Sequence, residues 1–104
     1  NHYDFQVLDG LENEEVEEGH VYLTMDDADL VSAIKSVQSQ GFELGKQVGI
    51  ISLNDSCYKE ILAGGISIIS SKPKEIGKLA ADLIQGGKRQ NINISMEMIL
   101  RKSL

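Results

Sequence analysis

The sequence predicts an α/β domain with three αβα layers around a mainly parallel sheet. Two observations carry that expectation. Apolar, β-branched runs alternate with stretches of helical period, the order that strand-helix-strand units with right-handed crossovers produce. The runs "QVGIISL" (47–53) and "ISIIS" (66–70) are also apolar at nearly every position, as strands buried on both faces are.

At the start of the chain, Phe5 to Leu8 in "DFQVLDG" alternates weakly and stops at Asp9-Gly10, predicting a short strand and a turn. The acidic stretch "LENEEVEEGH" follows, read as a solvated helix or loop; it lacks the Asp-x-Asp-x-Asp-Gly pattern of a calcium loop. "VYLTM" (21–25) is β-branched and aromatic, a stronger strand. It leads into "DDADLVSAIKSVQSQG", where Leu30, Val31, Ile34 and Val37 recur at helical spacing. Asp26 or Asp27 is placed to cap that helix and Gly41 to end it in the left-handed conformation.

After the 47–53 strand, "SCYKEILAGG" reads as a short helix closed by glycines, and 66–70 as another buried strand. "KPKEIGKLAADLIQGG" is the clearest helix. Pro73 fits its first turn, Ile76, Leu79, Ala80, Leu83 and Ile84 share one face, and Gly86 or Gly87 ends it. "INISMEMILRKSL" closes the chain as one or two strands, alternating over Met96, Met98 and Leu100.

Composition bounds the function. A chain of 104 residues holds one core, and its apolar runs fall well short of the roughly 18 residues a membrane span requires. No basic segment followed by an apolar one opens the chain, so neither a membrane anchor nor a signal peptide is expected. Net charge is −6, and residues 1 to 34 hold ten of the sixteen acids without a Lys or Arg, which disfavours non-specific nucleic-acid binding. The one cysteine, Cys57, cannot form an internal disulfide, which fits a reducing cytoplasm; a buried or half-buried thiol is expected. There is no nucleophile-base pair, phosphate-cradling glycine loop or metal set, so no enzymatic activity and no cofactor are expected.

Open parallel sheets bind ligands beyond the carboxyl ends of their strands. Three such ends are polar here: Asp26-Asp27, Asn54-Asp55 and Ser70-Ser71-Lys72. The candidate ligand-binding residues are Asp26, Asp27, Asn54, Asp55 and Ser71. Helix capping competes for Asp27 and for Asp55, which leaves Asn54 the stronger candidate. An acidic pair, a further Asp, a Ser and a Lys-Pro are also the ingredients of a phosphoacceptor receiver domain. The spacing disagrees, because Asp55 and Lys72 lie only seventeen positions apart, room for one strand-helix unit where a receiver has more.

The run from "HVYLTMDDADLVSAIKSVQSQGFELGKQVGIISLNDS" through "GGISIISSKPKEIGKLAADLI" to "LRKSL" resembles the C-terminal part of the effector domains of Lac/Gal-repressor-type regulators. Those domains are built like type I periplasmic sugar-binding proteins. The matching segments are Asp26-Asp27, Gly41 to Asp55, Ile66 to Ile69, and Ile76-Gly77 with Ala80-Ala81. The wording "GKQVGIISLNDS...KEILAGGISIIS" and the ending "RKSL" look closer still to a branch of GntR-type regulators, in which a winged helix precedes such a sensor. The resemblance covers roughly residues 19 to 104. Three positions depart from the family: Gly45 stands where a Pro is usual, Ser52 replaces a Gly, and Asn54 replaces an Asp that commonly holds a sugar hydroxyl.

The resemblance implies that residues 1–104 form the C-terminal lobe, incomplete, of an effector-binding domain. Such a lobe takes a small, sugar-like effector in the cleft against its partner lobe and works in a homodimer. It reaches DNA only through an N-terminal domain, since no helix-turn-helix pattern is present here. The resemblance also implies that the chain crosses between lobes near Ser70 to Lys72, so that the 73–86 helix would pack on the other lobe. By itself that helix is expected to fold onto its own sheet or to enter a dimer, through swapping if need be. A lobe of an exported solute-binding protein is the alternative of the same fold.

Overall fold

The computed structural model describes residues 5–86 and 95–104. Its sheet has four strands: β1 (Val21–Thr24), β2 (Gly49–Leu53), β3 (Ser67–Ser70) and β4 (Glu97–Ile99). They lie side by side in chain order, with β1, β2 and β3 parallel and β4 antiparallel to β3. Among the described residues the sheet is accompanied by two α-helices, α1 (Asp27–Ser39) and α2 (Pro73–Gly86). The mixed α/β class and the mainly parallel sheet are those the sequence predicts.

α1 begins where Asp26, in extended backbone, accepts the N–H of Asp29 at 2.7 Å; Asp26, not Asp27, is its cap. It ends at Gly41 (φ +73°) in a Schellman motif. The N–H of Phe42 reaches the Val37 carbonyl at 3.1 Å, and that of Gly41 the Gln38 carbonyl at 3.2 Å. Leu30, Ala33, Ile34 and Val37 form the buried stripe of α1 and meet Val48, Ile50 and Ile66 from the sheet. Leu30, Ile50, Ile66 and Ile68 are fully enclosed, and each such side chain contributes roughly 1.5–3 kcal/mol of burial. Within the acidic stretch only Leu11 and Val16 turn inward onto this core. The N–H of Val16 donates to Ser36 Oγ at 2.9 Å while the neighbouring glutamates stay exposed, so the segment is the solvated loop expected.

Residues 5–8 form no strand; Phe5 and Val7 are exposed, and the sheet stops at β1 without a partner for them. "SCYKEILAGG" forms two 3-10 turns, Cys57–Glu60 and Leu62–Gly64, in place of one α-helix. Left-handed Ala63 (φ +52°) and positive-φ Gly64 and Gly65 stop any longer ladder. Cys57 is exposed rather than buried, because those turns hold it off the core.

The third layer is not supplied by α2. α1 covers one face of the sheet, onto which Tyr22, Thr24 and Ile50 alternate. On the other face Val21 and Leu23 remain more than half exposed. α2 buries none of its residues, and Ile84 is 82% exposed, so the expected folding of this helix onto its own sheet does not occur. The direction of β4 explains this. A crossover helix must lie along the sheet only when the next strand is parallel, and β4 runs back antiparallel from the end where β3 finished. Of the expected terminal strand, residues 92–94 lie outside the described residues, as does Gly87.

The chain's last residues stitch the sheet from its other end. Ser103 is fully buried; its hydroxyl donates to the Ile50 carbonyl at 2.6 Å and accepts the Ser67 N–H at 2.7 Å. Gly45 (φ +89°) sits against this tail, where a Cβ would come within 2.0 Å of the Lys102 carbonyl oxygen. That contact and the positive φ explain why the position departs from Pro, whose ring requires φ near −65°.

Candidate functional site

The three polar strand ends form one rim. β2 ends at Leu53, and Asn54 takes up a left-handed conformation (φ +61°), one that Asn tolerates better than most residues. This turns its N–H onto the Ile69 carbonyl of β3 at 2.6 Å. Its side-chain oxygen accepts the Ser71 N–H at 3.3 Å and the Ser71 hydroxyl at 2.9 Å. Asn54 and Ser71, expected near each other only as neighbouring strand ends, are thus directly bonded, and Asn54 is exposed. Its amide NH₂ donates to no group among the described residues, so Asn54 offers a ligand two donor hydrogens. Immediately beyond, Lys72 (φ +53°) turns the chain from β3 into α2.

Asp27 opens α1 on the β1 side of the rim with a largely exposed carboxylate. The Tyr58 hydroxyl donates to Asp27 Oδ1, and the Lys59 ammonium lies 3.8 Å from the same oxygen. That hydrogen bond, with burial second, raises the Tyr58 pKa above its ordinary value, so the phenol is a neutral donor near pH 7. Asp26 points its carboxylate into the cap of α1, which also leaves it exposed at the rim.

Asp55 does not cap the following turn. Ser56 occupies the cap position there without a side-chain cap bond. Asp55 instead holds Arg101 through two parallel contacts, Nη1 to Oδ1 and Nη2 to Oδ2, each 3.1 Å. The guanidinium bond, partly opposed by burial, keeps the Asp55 carboxyl below the usual carboxylate range. Arg101 Nη1 also donates to the Ile66 carbonyl at 3.0 Å, so this pair ties the C-terminal segment to the loop behind β2.

Sequence reasoning missed Lys59, Tyr58 and Arg101. Lys59 is only 4% exposed, and its ammonium donates to the Leu53 carbonyl at 3.2 Å and the Asn54 carbonyl at 2.8 Å. A signal for it existed: "CYKEIL" sets one cation among apolar neighbours directly after a strand end. Nothing local marks Arg101, whose partner is 46 positions away.

The fold is an α/β unit in which the carboxyl edge of a mostly parallel sheet gathers three polar strand ends. No protein-family model matches the chain, and no curated protein matches it. Solved structures do. A protein from Staphylococcus saprophyticus subsp. saprophyticus, assigned as a transcription regulator, aligns with 28% identity and a TM-score of 0.65, over 81% of this chain and 32% of its own. The Lac repressor dimer bound to operator and the anti-inducer ONPF aligns with 15% identity and a TM-score of 0.67, over 80% of this chain and 27% of its own. A LacI-family regulator from an Arthrobacter species, in complex with lactose, gives 17% identity and a TM-score of 0.65, over 80% and 34%. The chain therefore has the Lac-repressor-like, periplasmic-binding-protein-like fold that its sequence resembles, and it spans about a third of the structures it matches. No helix among the described residues is long and apolar enough to cross a membrane.

Proposed function

We propose that this chain is the effector-sensing C-terminal lobe of a bacterial transcription regulator, binding a small polyhydroxylated ligand at the rim formed by Asp26, Asp27, Asn54, Asp55 and Ser71. One observation carries the reading: Asn54, left-handed and bonded to Ser71, joins two strand ends at the edge where this architecture receives ligands. Around it stand two acceptors, the Asp27 carboxylate and the Tyr58 oxygen, whose one hydrogen goes to Asp27; with the Asn54 NH₂ as donor they form a mixed set suited to sugar hydroxyls rather than to a strongly charged ligand. Lactose in one neighbour of this fold is the same chemistry. Asp55, engaged by Arg101, serves mainly to hold the rim together.

In the whole protein a ligand bridging this lobe and its partner lobe shifts a hinge equilibrium and so changes the spacing of two DNA-binding heads in a homodimer. The DNA-binding part is a winged helix of the GntR type, and the protein is cytoplasmic and non-enzymatic. The test is a titration of the isotope-labelled chain with lactose and a panel of neutral sugars, followed by amide NMR. Shifts gathered at Asp27, Asn54 and Ser71 support the reading; shifts confined to α2 or to the acidic loop, or none with any sugar, reject it.

A further inference from the structure

We propose that Lys59 is the positioning residue of this rim: its ammonium holds the Asn54 peptide in the left-handed conformation from which the Asn54 side chain reaches Ser71. The inference rests on the reading of the strand ends as a ligand site, but the geometry behind it does not. A lysine only 4% exposed is unusual unless it is hydrogen-bonded. Lys59 has three donor hydrogens, and three oxygens surround it: Leu53 O at 3.2 Å, Asn54 O at 2.8 Å and Asp27 Oδ1 at 3.8 Å. Those oxygens belong to the last residue of β2, the residue after it, and the first residue of α1. One buried cation therefore draws together two of the three strand ends, and Asn54 extends the link to the third through Ser71.

The bond to the Asn54 carbonyl bears on function. With φ at +61°, an L-residue sits in a well that is unfavourable for the free chain, so something must hold it. The carbonyl of Asn54 is fixed by Lys59 and its N–H by the Ile69 carbonyl at 2.6 Å, one clamp on each side of the residue. Releasing the Lys59 clamp frees Asn54 to relax toward negative φ, which swings its side chain off Ser71 and takes the amide NH₂ out of the rim. Lys59 also lies 3.8 Å from Asp27 Oδ1, so its charge opposes a cationic ligand at that carboxylate. Tyr58, 5.9 Å from the ammonium at its ring centre, adds a neutral partner on the same side.

The experiment compares Lys59→Met, which keeps an unbranched apolar stem, in two backgrounds: the native chain and Asn54→Gly, where positive φ carries no strain. Lys59→Met should shift the amide signals of Asn54 and Ser71 while leaving those of Ile50 and Ser103, which the Lys59 ammonium does not bond, in place. In the Asn54→Gly background, which has no side-chain oxygen to lose from Ser71, Lys59→Met should leave the Ser71 amide in place. An equal Ser71 shift in both backgrounds, or an unmoved Ser71 amide in the native one, overturns the proposal, because a lysine that merely fills space would not depend on the residue at 54. If Lys59→Met fails to fold, Lys59→Leu, which likewise carries no donor, is read by the same two criteria. Lactose titration of the unaltered chain separates the premises: no sugar shift with the Lys59 coupling present rejects the ligand reading and leaves the positioning role standing.

Discussion

Asn54 Oδ1 accepts both the backbone N–H and the hydroxyl of Ser71, at 3.3 and 2.9 Å, and this pair closes the seam between β2 and β3 at the end where they splay. Two costs are therefore concentrated at one residue, a left-handed backbone and a hydrogen-bonded side chain. Asn54→Ala keeps the first and loses the second. We expect it to destabilise the chain by about 1–2 kcal/mol, since both bonds from Ser71 are lost, at roughly 0.5–1.5 kcal/mol each, while the backbone cost is shared with the native chain. Asn54→Gly removes the bond but also the strain, and its urea midpoint should fall clearly less. Alanine and glycine variants of equal stability would show that the backbone at 54 is not strained.

The Asp55–Arg101 pair predicts an acid-sensitive increment of stability. Asp55 titrates below its unfolded value of 3.8 because it accepts two bonds from the guanidinium, so folding favours its charged form. The increment is fully present above the unfolded pKa and disappears as pH falls through the lowered folded pKa, that is, below about pH 4. Asp55 is about one-third exposed, so the pair is worth no more than about 1 kcal/mol near neutrality. Urea midpoints of wild type and Arg101→Met should differ at pH 7 and draw together at the acid end. A constant difference down to the lowest pH that leaves the chain folded would assign the effect to packing of the Arg101 stem instead.

How much of this was legible in the sequence follows from the range of the interactions. α1 was readable because its signals are local: Asp26 caps three residues ahead and Gly41 closes a motif within six residues. β1, β2 and β3 were readable from apolar runs, and the strand-end rule placed Asn54 beside Ser71 without any contact being visible. The strand at 5–8 failed because alternation states only that a segment can be a strand; a neighbour must exist to pair with it. The turns at 57–64 failed because Ala63 adopts a positive φ that its side chain does not announce. Arg101 was invisible for the same reason as the role of Asp55, since both depend on a pairing across 46 positions.

Glycine 45 and glycine 41 provide a controlled comparison. Both have positive φ, +89° and +73°, so an alanine at either is strained by about 1–2 kcal/mol. At Gly41 a Cβ meets nothing within 4 Å, whereas at Gly45 it lands 2.0 Å from the Lys102 carbonyl oxygen, a backbone atom that cannot swing aside. Gly41→Ala should therefore show the backbone cost alone. Gly45→Ala should be markedly worse and should disturb the NMR signals of Lys102 and Ser103. Equal thermal midpoints for the two variants would mean that the C-terminal tail is not held against residue 45.

Ser103 gives the sharpest test of how that tail is held. Its hydroxyl is the donor to the Ile50 carbonyl at 2.6 Å and the acceptor for the Ser67 N–H at 2.7 Å, in a fully buried position. The main chain adds a second clasp, with the Ile50 N–H on the Ser103 carbonyl at 2.8 Å and the Ser103 N–H on the Gly65 carbonyl at 3.1 Å. Ser103→Ala preserves the main-chain bonds but orphans one buried donor and one buried acceptor, each costing about 1–3 kcal/mol when left unpaired. We expect a loss near the sum of the two minima, about 2 kcal/mol, read as a lower urea midpoint at unchanged slope. Ser103→Cys keeps a weak donor and should recover part of the loss. Amide exchange at Ser67 distinguishes the cause: faster exchange in Ser103→Ala ties the loss to the missing hydroxyl, and unchanged protection would show that the Ser67 N–H does not depend on Ser103.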